Sequence, residues 1–109
     1  MAAVRFSAAG EVLYAYLSGE VDHDAAQSLR IQLDDALVSR TPQTLVLDFS
    51  GVGFMDSSGI AVIVRSYRKM RNAGGRMYIE NPQSQPLKVL DASGIDRLIP
   101  IAAKREVTT

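Results

Sequence analysis

The hydrophobic pattern of this chain switches repeatedly between strand-like and helix-like periodicity, and this switching is the feature that most constrains the fold. Two strand-like segments come first, one carrying Val4 and Phe6 and one carrying Val12, Tyr14 and Tyr16. Three helix-like segments then alternate with three short strand-like ones. Because short helical connections between strands act as crossovers, the later strands must run parallel. The pattern therefore predicts an α/β domain of order ββαβαβαβ, with a mixed sheet of about five strands and about three to four helices.

Local signals predict where the first elements begin and end. Ala9-Gly10 predicts the hairpin turn, and Gly19 is expected to end the second strand. Asp22 or Asp24 can cap a first helix that runs to about residue 39, where a Thr-Pro pair stops it. The apolar stripe predicted for this helix consists of Ala26, Leu29, Leu33, Ala36 and Leu37.

The second half of the chain repeats this alternation. Residues 45–49 form a nearly continuous apolar run that predicts a central strand covered on both faces, followed by a loop in which Gly51 and Gly53 give turn geometry. Residues 77–79 and 98–101 predict two further strands, and Ser84 and Gly94 bound a third helix. The second helix ends at residues 74–75, and its predicted apolar stripe consists of Ile60, Ile63, Val64, Tyr67 and Met70.

The composition excludes several functional classes. The chain has 109 residues, no Cys, one His, and 12 basic against 12 acidic residues. We expect one domain over residues 1–109, no disulfide, no metal or other cofactor, and no nucleic-acid partner. The longest apolar run, residues 60–64, is far shorter than the roughly 20 residues of a membrane helix, and the first residues lack a secretory signal. We therefore expect a cytoplasmic protein without a membrane partner, as a monomer or weak dimer.

The segment Asp56-Ser57-Ser58-Gly59 stands before the second helix and has distinctive chemistry. Asp56 is placed as the N-cap, and the free N–H groups of the first turn, together with the helix dipole, favour an anion there. Ser57 or Ser58 is thus a candidate phosphoacceptor. Helical geometry puts Ser58 almost opposite the predicted stripe and Ser57 on its flank, so exposure alone favours Ser58. Gly59 suggests that a partner approaches the backbone closely, and Ile60 can serve both core and contact.

The chain resembles STAS domains of the bacterial anti-sigma-factor antagonist type. The resemblance spans nearly its whole length, with Asp-Ser-Ser-Gly as the most specific part. The matching segments are LSGEVD (17–22), LVLDFS (45–50), FMDSSGI (54–60), GG (74–75) and SGI (93–95). One departure is that the family usually continues into a final amphipathic helix, whereas the corresponding segment of this sequence, residues 102–109, ends early.

The resemblance implies a regulatory function. In the family an anti-sigma factor that is a serine kinase phosphorylates the first Ser after the Asp, which implies Ser57, with Ser58 as the fallback. The unphosphorylated form binds that kinase and frees the sigma factor, and a serine phosphatase resets the cycle. Glu20 and Asp22 match the family's Gly-Glu-x-Asp pattern, so we expect them to contact basic groups of the kinase. The expected partner-binding residues are Glu20, Asp22, Asp56, Ser57, Ser58, Gly59 and Ile60.

Three other functions have less support in the sequence. A serine hydrolase would combine Ser57 or Ser58 with His23 and an Asp, but the segment is not a Gly-x-Ser-x-Gly elbow. A nucleotide-binding module lacks both a Gly-x-Gly-x-x-Gly motif and a Walker Lys. A STAS module that is purely structural, within a signalling or lipid-transport complex, is the main alternative. We expect no enzymatic activity.

The charges are distributed unequally along the neutral chain. Residues 1–56 hold 3 basic and 8 acidic side chains, which gives a net charge of −5. Residues 57–109 hold 9 basic and 4 acidic ones, which gives a net charge of +5. The boundary falls at the candidate phosphoacceptor. One added phosphate is therefore expected to alter the local field more than the overall charge suggests.

Overall fold

A computed structural model describes residues 2–102 and contains the predicted order of elements. The strands are β1 (Ala2–Ala9), β2 (Val12–Val21), β3 (Thr44–Met55), β4 (Arg76–Glu80) and β5 (Ile101–Ala102). The helices are α1 (His23–Arg40), α2 (Ser57–Asn72) and α3 (Ser84–Ser93), with a 3-10 turn at Ile95–Arg97. The predicted C-terminal departure from the family lies mostly outside the described residues.

The five strands form one sheet in the order β1-β2-β3-β4-β5. β1 pairs with β2 antiparallel, and every other pair is parallel. This arrangement confirms the predicted mixed sheet, because each parallel strand is reached through a helical crossover. α1 packs against β1, β2 and α2, and α2 packs against β3, β4 and α3.

The core lies between the sheet and the helices, and β3 is its centre. All of residues 45–49 are buried, as the apolar run predicted. On β2, Leu13, Ala15 and Leu17 are buried, while the alternating Tyr14 and Tyr16 are half-buried on the opposite face. The buried residues of α1 are Leu29, Leu33, Ala36 and Leu37, which confirms most of its predicted stripe.

The predicted loop after residue 49 is wrong, because β3 continues to Met55. β2 is also longer than predicted, because it continues past Gly19 to Val21. Gly19 has a φ of 89°, and the pairing of β2 with β3 has two irregularities in its register. Gly51 sits in this extension. A Cβ there would lie 2.9 Å from the Leu17 carbonyl oxygen, so this glycine permits close strand approach rather than a turn.

Other boundaries differ by a few residues. The hairpin turn falls at residues 10–11. The N-cap of α3 is Gln83, which makes no side-chain capping bond, and Ser84 is the first helical residue; Gly94 ends the helix with a φ of 76°, as predicted. The last strand is shorter than predicted, because the N–H groups of Leu98 and Ile99 donate to the Ile95 carbonyl. Pairing with β4 begins where the Pro100 carbonyl accepts the Ile79 N–H.

The buried face of α2 is rotated relative to the prediction. Ile63 and Met70 are buried as expected, but Ile60, Val64 and Tyr67 are only half-buried. The cause is α1, which packs along the side of α2 that carries Ser58 and Val62. The residues of α2 that are buried are Gly59, Val62, Ile63, Ser66 and Met70.

Candidate functional site

The parallel pairing of β2 and β3 brings the starts of α1 and α2 together. The two strands stay paired up to Val21 and Met55, and the Asp56 N–H donates to the Val21 carbonyl at 3.2 Å. Each strand then turns directly into a helix. The candidate site therefore lies at the C-terminal edge of the parallel strands, where sites commonly form in such sheets.

Asp56 joins the two helix starts. Its Oδ1 accepts the Ser58 N–H at 2.8 Å, which makes Asp56 the N-cap of α2 as predicted. Its Oδ2 accepts the backbone N–H of His23, the first residue of α1, at 3.2 Å. One carboxylate thus fixes the position of α1 relative to the candidate phosphoacceptor turn.

The acidic residues predicted for partner contact lie beside this turn. Of the two possible caps of α1, the structure selects Asp22, whose Oδ1 accepts the Ala25 N–H at 3.0 Å. Glu20 is exposed near the end of β2, and it pairs in register with Phe54 of β3. Glu20, Asp22 and Asp56 therefore belong to one end of the sheet, with Asp22 already engaged as a cap.

The two serines differ in exposure, and the sequence-based expectation on this point is wrong. Ser57 is exposed, whereas Ser58 is half-buried and its Oγ lies 3.4 Å from Nδ1 of His23. Helical geometry centred on the predicted stripe, with Ile60 and Val64, gives the opposite order, because it cannot show that α1 covers the Ser58 side of α2. Exposure now agrees with the resemblance in favouring Ser57.

Gly59 and Ile60 have different surroundings. Gly59 is buried, and a Cβ at this position would lie 2.5 Å from Met55 Cγ and 3.1 Å from Val21 Cγ1. The close approach predicted for a partner is therefore made by the protein's own core, so Gly59 is not placed as a contact residue. Ile60 is half-buried, packs against the edge of the core and also lines an open groove along α2.

Two features of the site were not predicted from the sequence. The side chain of Gln85, on α3, makes two hydrogen bonds to the backbone of Met55, the last residue of β3. Its Oε1 accepts the Met55 N–H at 2.8 Å, and its Nε2 donates to the Met55 carbonyl at 3.0 Å. The Phe54 side chain, 42% exposed, is an apolar surface next to Glu20 in register. No signal in the sequence points to Gln85, because its partner lies thirty residues away.

Asp48 anchors the strand that leads to the site. This carboxylate is only 7% exposed and accepts hydrogen bonds from the Ser50 N–H and hydroxyl at 2.9 and 2.6 Å and from the Asn81 amide at 2.8 Å. Burial alone would raise the pKa of Asp48, but the bonds from Ser50 and Asn81 outweigh it and hold the pKa below its ordinary value.

The surroundings of His23 differ from those of a catalytic triad. His23 lies beside Ser58, but Asp56 accepts from the His23 backbone, and within residues 2–102 no carboxylate is hydrogen-bonded to the ring to orient it as a base. The described part of the chain contains no group of three or more His, Asp or Glu side chains that could hold a metal ion. Among its helices, none is long and apolar enough to cross a membrane.

Comparisons with known proteins agree with this geometry. An anti-sigma F factor antagonist of Paenibacillus polymyxa is 37% identical over 90 residues, which covers 83% of this chain and 77% of the relative. The fold resembles the anti-sigma factor antagonist SpoIIAA in its unphosphorylated form, with a TM-score of 0.80 and 26% identity over 94% of this chain and 90% of the other. The fold also resembles the Bacillus cell fate determinant SpoIIAA in its phosphorylated form, with a TM-score of 0.71 and 27% identity over 94% of this chain and 93% of the other. The STAS domain family model matches residues 4–107, and this chain belongs to the STAS domain family.

Proposed function

We propose that this protein is an anti-sigma-factor antagonist controlled by phosphorylation of Ser57. The unphosphorylated protein binds an anti-sigma serine kinase and thereby releases a sigma factor. The kinase transfers the γ-phosphoryl group of ATP to the Ser57 oxygen, whose proton is lost as ADP leaves, and this ends the binding. A serine phosphatase restores the hydroxyl. The antagonist is thus the substrate of two enzymes rather than a catalyst, and we expect it to act in the cytoplasm.

The observation that carries this proposal is the exposure of Ser57 at the start of α2, beside a fixed acidic group. Ser57 is exposed, while Ser58 is half-buried against His23. A kinase can reach an exposed hydroxyl on the first helical turn without unfolding the site. The names of the relatives, which are antagonists of anti-sigma factors, support the same function.

A local electrostatic effect can explain the switch. A phosphate on Ser57 would add about −1.5 to −2 charges next to the Asp56 carboxylate, which its bonds to Ser58 and His23 hold in place. The positive end of the α2 dipole favours a negative charge on Ser57, so the fold need not change. Binding of the kinase would then have to desolvate the phosphate together with the carboxylates of Glu20, Asp22 and Asp56, and like charges desolvated side by side at an interface are costly.

The acidic and apolar residues around Ser57 define the proposed contact surface. Glu20 and Asp22 are proposed to meet basic groups of the kinase, and Ile60 is proposed to supply apolar contact. Phe54 extends this apolar surface, because it is exposed and pairs in register with Glu20. Aromatic side chains of this kind are enriched in the centres of protein interfaces.

Phosphate mapping tests the proposed acceptor. The protein is incubated with ATP and the serine kinases of its own cell, and the modified residues are mapped in the wild type, Ser57→Ala and Ser58→Ala. We expect Ser57→Ala to lose the label and Ser58→Ala, the matched control, to keep it. Label that persists in Ser57→Ala and disappears in Ser58→Ala would move the acceptor to Ser58. An absence of phosphate on either serine would favour a structural STAS module.

Binding tests the switch separately from the acceptor. Ser57→Asp places a permanent charge at the site, whereas Ser57→Ala removes only the hydroxyl. We expect Ser57→Asp to bind the kinase at least about tenfold more weakly than the wild type, because like-charge contacts at an interface cost several kcal/mol. Ser57→Ala should bind with unchanged affinity. Equal affinities of the two variants, measured by titration calorimetry, would contradict an electrostatic switch.

A further inference from the structure

The outward face of α2 forms an open groove that begins at Ser57. The groove has a volume of about 630 Å³, and its apolar part comes from half-buried Ile60 and Val64 together with exposed Ala61. Further along the helix, Arg65, Arg68 and Lys69 also line it. These residues recur every three or four positions, so they share one face of the helix over its whole length.

The cations of this face are only partly neutralised by the protein itself. Arg65 and Lys69 lie 3.0 and 4.0 Å from the Asp34 carboxylate of α1, and Arg30 approaches the same carboxylate at 3.9 Å. Three cations therefore share one anion, which leaves a local charge of +2. Arg68 adds another, since no carboxylate of residues 2–102 lies within 4.0 Å of it. We call Arg65, Arg68 and Lys69 the basic ridge.

The basic ridge lies further along α2 than the acidic residues. Glu20, Asp22 and Asp56 lie at the ends of β2 and β3, where α2 begins at Ser57, and Arg68 lies eleven residues further along α2. At 1.5 Å per residue this separation is about 17 Å. The division of charge between the two halves of the sequence, −5 and +5, thus becomes in part a separation along α2.

We propose that the basic ridge docks against an acidic patch on the same anti-sigma kinase whose basic groups meet the acidic end. This inference rests on the proposed function and extends its contact surface along α2. The partner surface must then carry a basic patch and an acidic patch in that order, about 17 Å apart. A contact that pairs patches of opposite charge at both places fixes the orientation of the partner along α2, because the reversed orientation would place like charges together.

An acidic protein surface suits the groove better than a nucleic acid does. The cations flank an apolar strip of Ile60, Ala61 and Val64, which suits protein side chains. A polyanion that followed the groove would also meet the acidic residues beside Ser57. The neutral total of 12 basic and 12 acidic residues agrees with this choice.

The test uses full-length protein and the kinase that labels Ser57 in the mapping experiment. Arg68→Glu is the test variant, because Arg68 is exposed and has no ion pair within residues 2–102 to lose. Arg5→Glu is the matched control, since it makes the same charge change at an exposed position of β1, on the face of the sheet that carries Tyr16 and away from α2. Arg68→Lys keeps the charge. Affinities are measured at low and high salt, and circular dichroism confirms that each variant is folded.

We expect Arg68→Glu to weaken kinase binding by about three- to tenfold at low salt and to reduce its salt dependence, as loss of a charge at an interface rim does. Arg5→Glu and Arg68→Lys should bind within about twofold of the wild type. Equal affinities of Arg68→Glu and wild type, or equal losses in the two Glu variants, would overturn the proposal. So would duplex DNA binding that Arg68→Glu abolishes.

The two proposals fail in distinguishable ways. If the wild type is phosphorylated on Ser57 and binds the kinase, but Arg68→Glu binds equally well, the basic ridge is excluded and the proposed function stands. If the wild type neither binds a serine kinase nor accepts phosphate, the proposed function itself fails and removes the partner on which the ridge proposal rests.

Discussion

At the scale of single residues, the site depends on a few hydrogen bonds and one close packing contact that hold the Asp56 turn. Asp56 holds the N–H groups of both Ser58 and His23, and Gly59 lies directly over Met55. The turn is thus fixed from two sides, by hydrogen bonds and by packing. Ser57 lies between these contacts and is exposed.

Gly59→Ala tests the packing side of this arrangement. A Cβ at residue 59 would lie 2.5 and 2.6 Å from the Cγ and Sδ atoms of Met55, which is fully buried. Overpacking of this kind costs about 1–3 kcal/mol, which at its lower end equals and over most of its range exceeds the ~1 kcal/mol that Ala gains over Gly within a helix. We therefore expect a lower midpoint of urea unfolding for Gly59→Ala.

Gly53→Ala is the control for that substitution, because a Cβ at residue 53 meets no atom within 4 Å. Its unfolding midpoint should stay close to that of the wild type or rise. A Gly59→Ala protein as stable as Gly53→Ala would show that the core accepts a methyl group at residue 59, and the packing account of this glycine would be wrong.

At the scale of elements, β3 depends on α3 for its last residues. β4 pairs with β3 only up to Asp48, and beyond that point the side chains of Gln83 and Gln85 reach β3 instead. Gln83 donates to the Ser50 carbonyl at 2.7 Å, and Gln85 binds both backbone groups of Met55. α3 therefore acts on the segment that leads directly into the Ser57 turn.

Gln85→Ala tests this dependence. The substitution leaves the N–H and carbonyl of Met55 without the Gln85 amide, and an unsatisfied buried polar group costs about 1–3 kcal/mol. We expect the Met55 amide to exchange its hydrogen faster by about tenfold or more, as measured by NMR.

Gln32→Ala is the matched control for Gln85→Ala, since Gln32 bonds only to Ser28 on the surface of α1. Its Met55 exchange rate should equal that of the wild type. Equal exchange rates in all three proteins would show that β2 alone holds the end of β3, and α3 would then have no part in positioning the turn.

At the scale of the whole molecule, stability is expected to depend on pH through Asp48. Its bonds link β3 to Asn81 beyond the end of β4, and they hold its folded-state pKa below the ordinary value. A carboxylate of this kind stabilises the fold above its unfolded pKa of about 3.9, and the stabilisation is lost as pH falls through the lower folded value.

Asp48→Asn should therefore lower the free energy of unfolding at pH 7 by about 1–3 kcal/mol, because the charged acceptor is lost. The difference from the wild type should shrink as pH falls below about 3.9. Urea unfolding from pH 7 to pH 3 measures it. Asp35→Asn, at an exposed position on α1, serves as control and should change little at any pH. A difference for Asp48→Asn that is constant with pH would contradict a role for the charge.

Much of the fold was predictable because it follows from local periodicity. The run at residues 45–49 and the stripe of α1 each bury the expected residues, and Asp22, Asp56 and Gly94 end or begin helices as their chemistry predicts. The extension of β3 to Met55 was missed because Gly51 and Gly53 are typical of turns. Only pairing with β2 reveals that Gly51 permits close strand approach.

By itself, the sequence determined the order of the elements, the capping of α2 by Asp56, the resemblance to STAS antagonists and the separation of charge between its halves. These properties depend on neighbouring residues or on simple counts. Only the tertiary structure decided which serine is exposed and where the cations of α2 gather, because both depend on the side from which α1 packs. It also decided what surrounds Gly59, because the ends of β2 and β3 bring Val21 and Met55 against it. A helical wheel of α2 cannot contain that information, since the rotation of a helix is set by its partners as well as by its own residues.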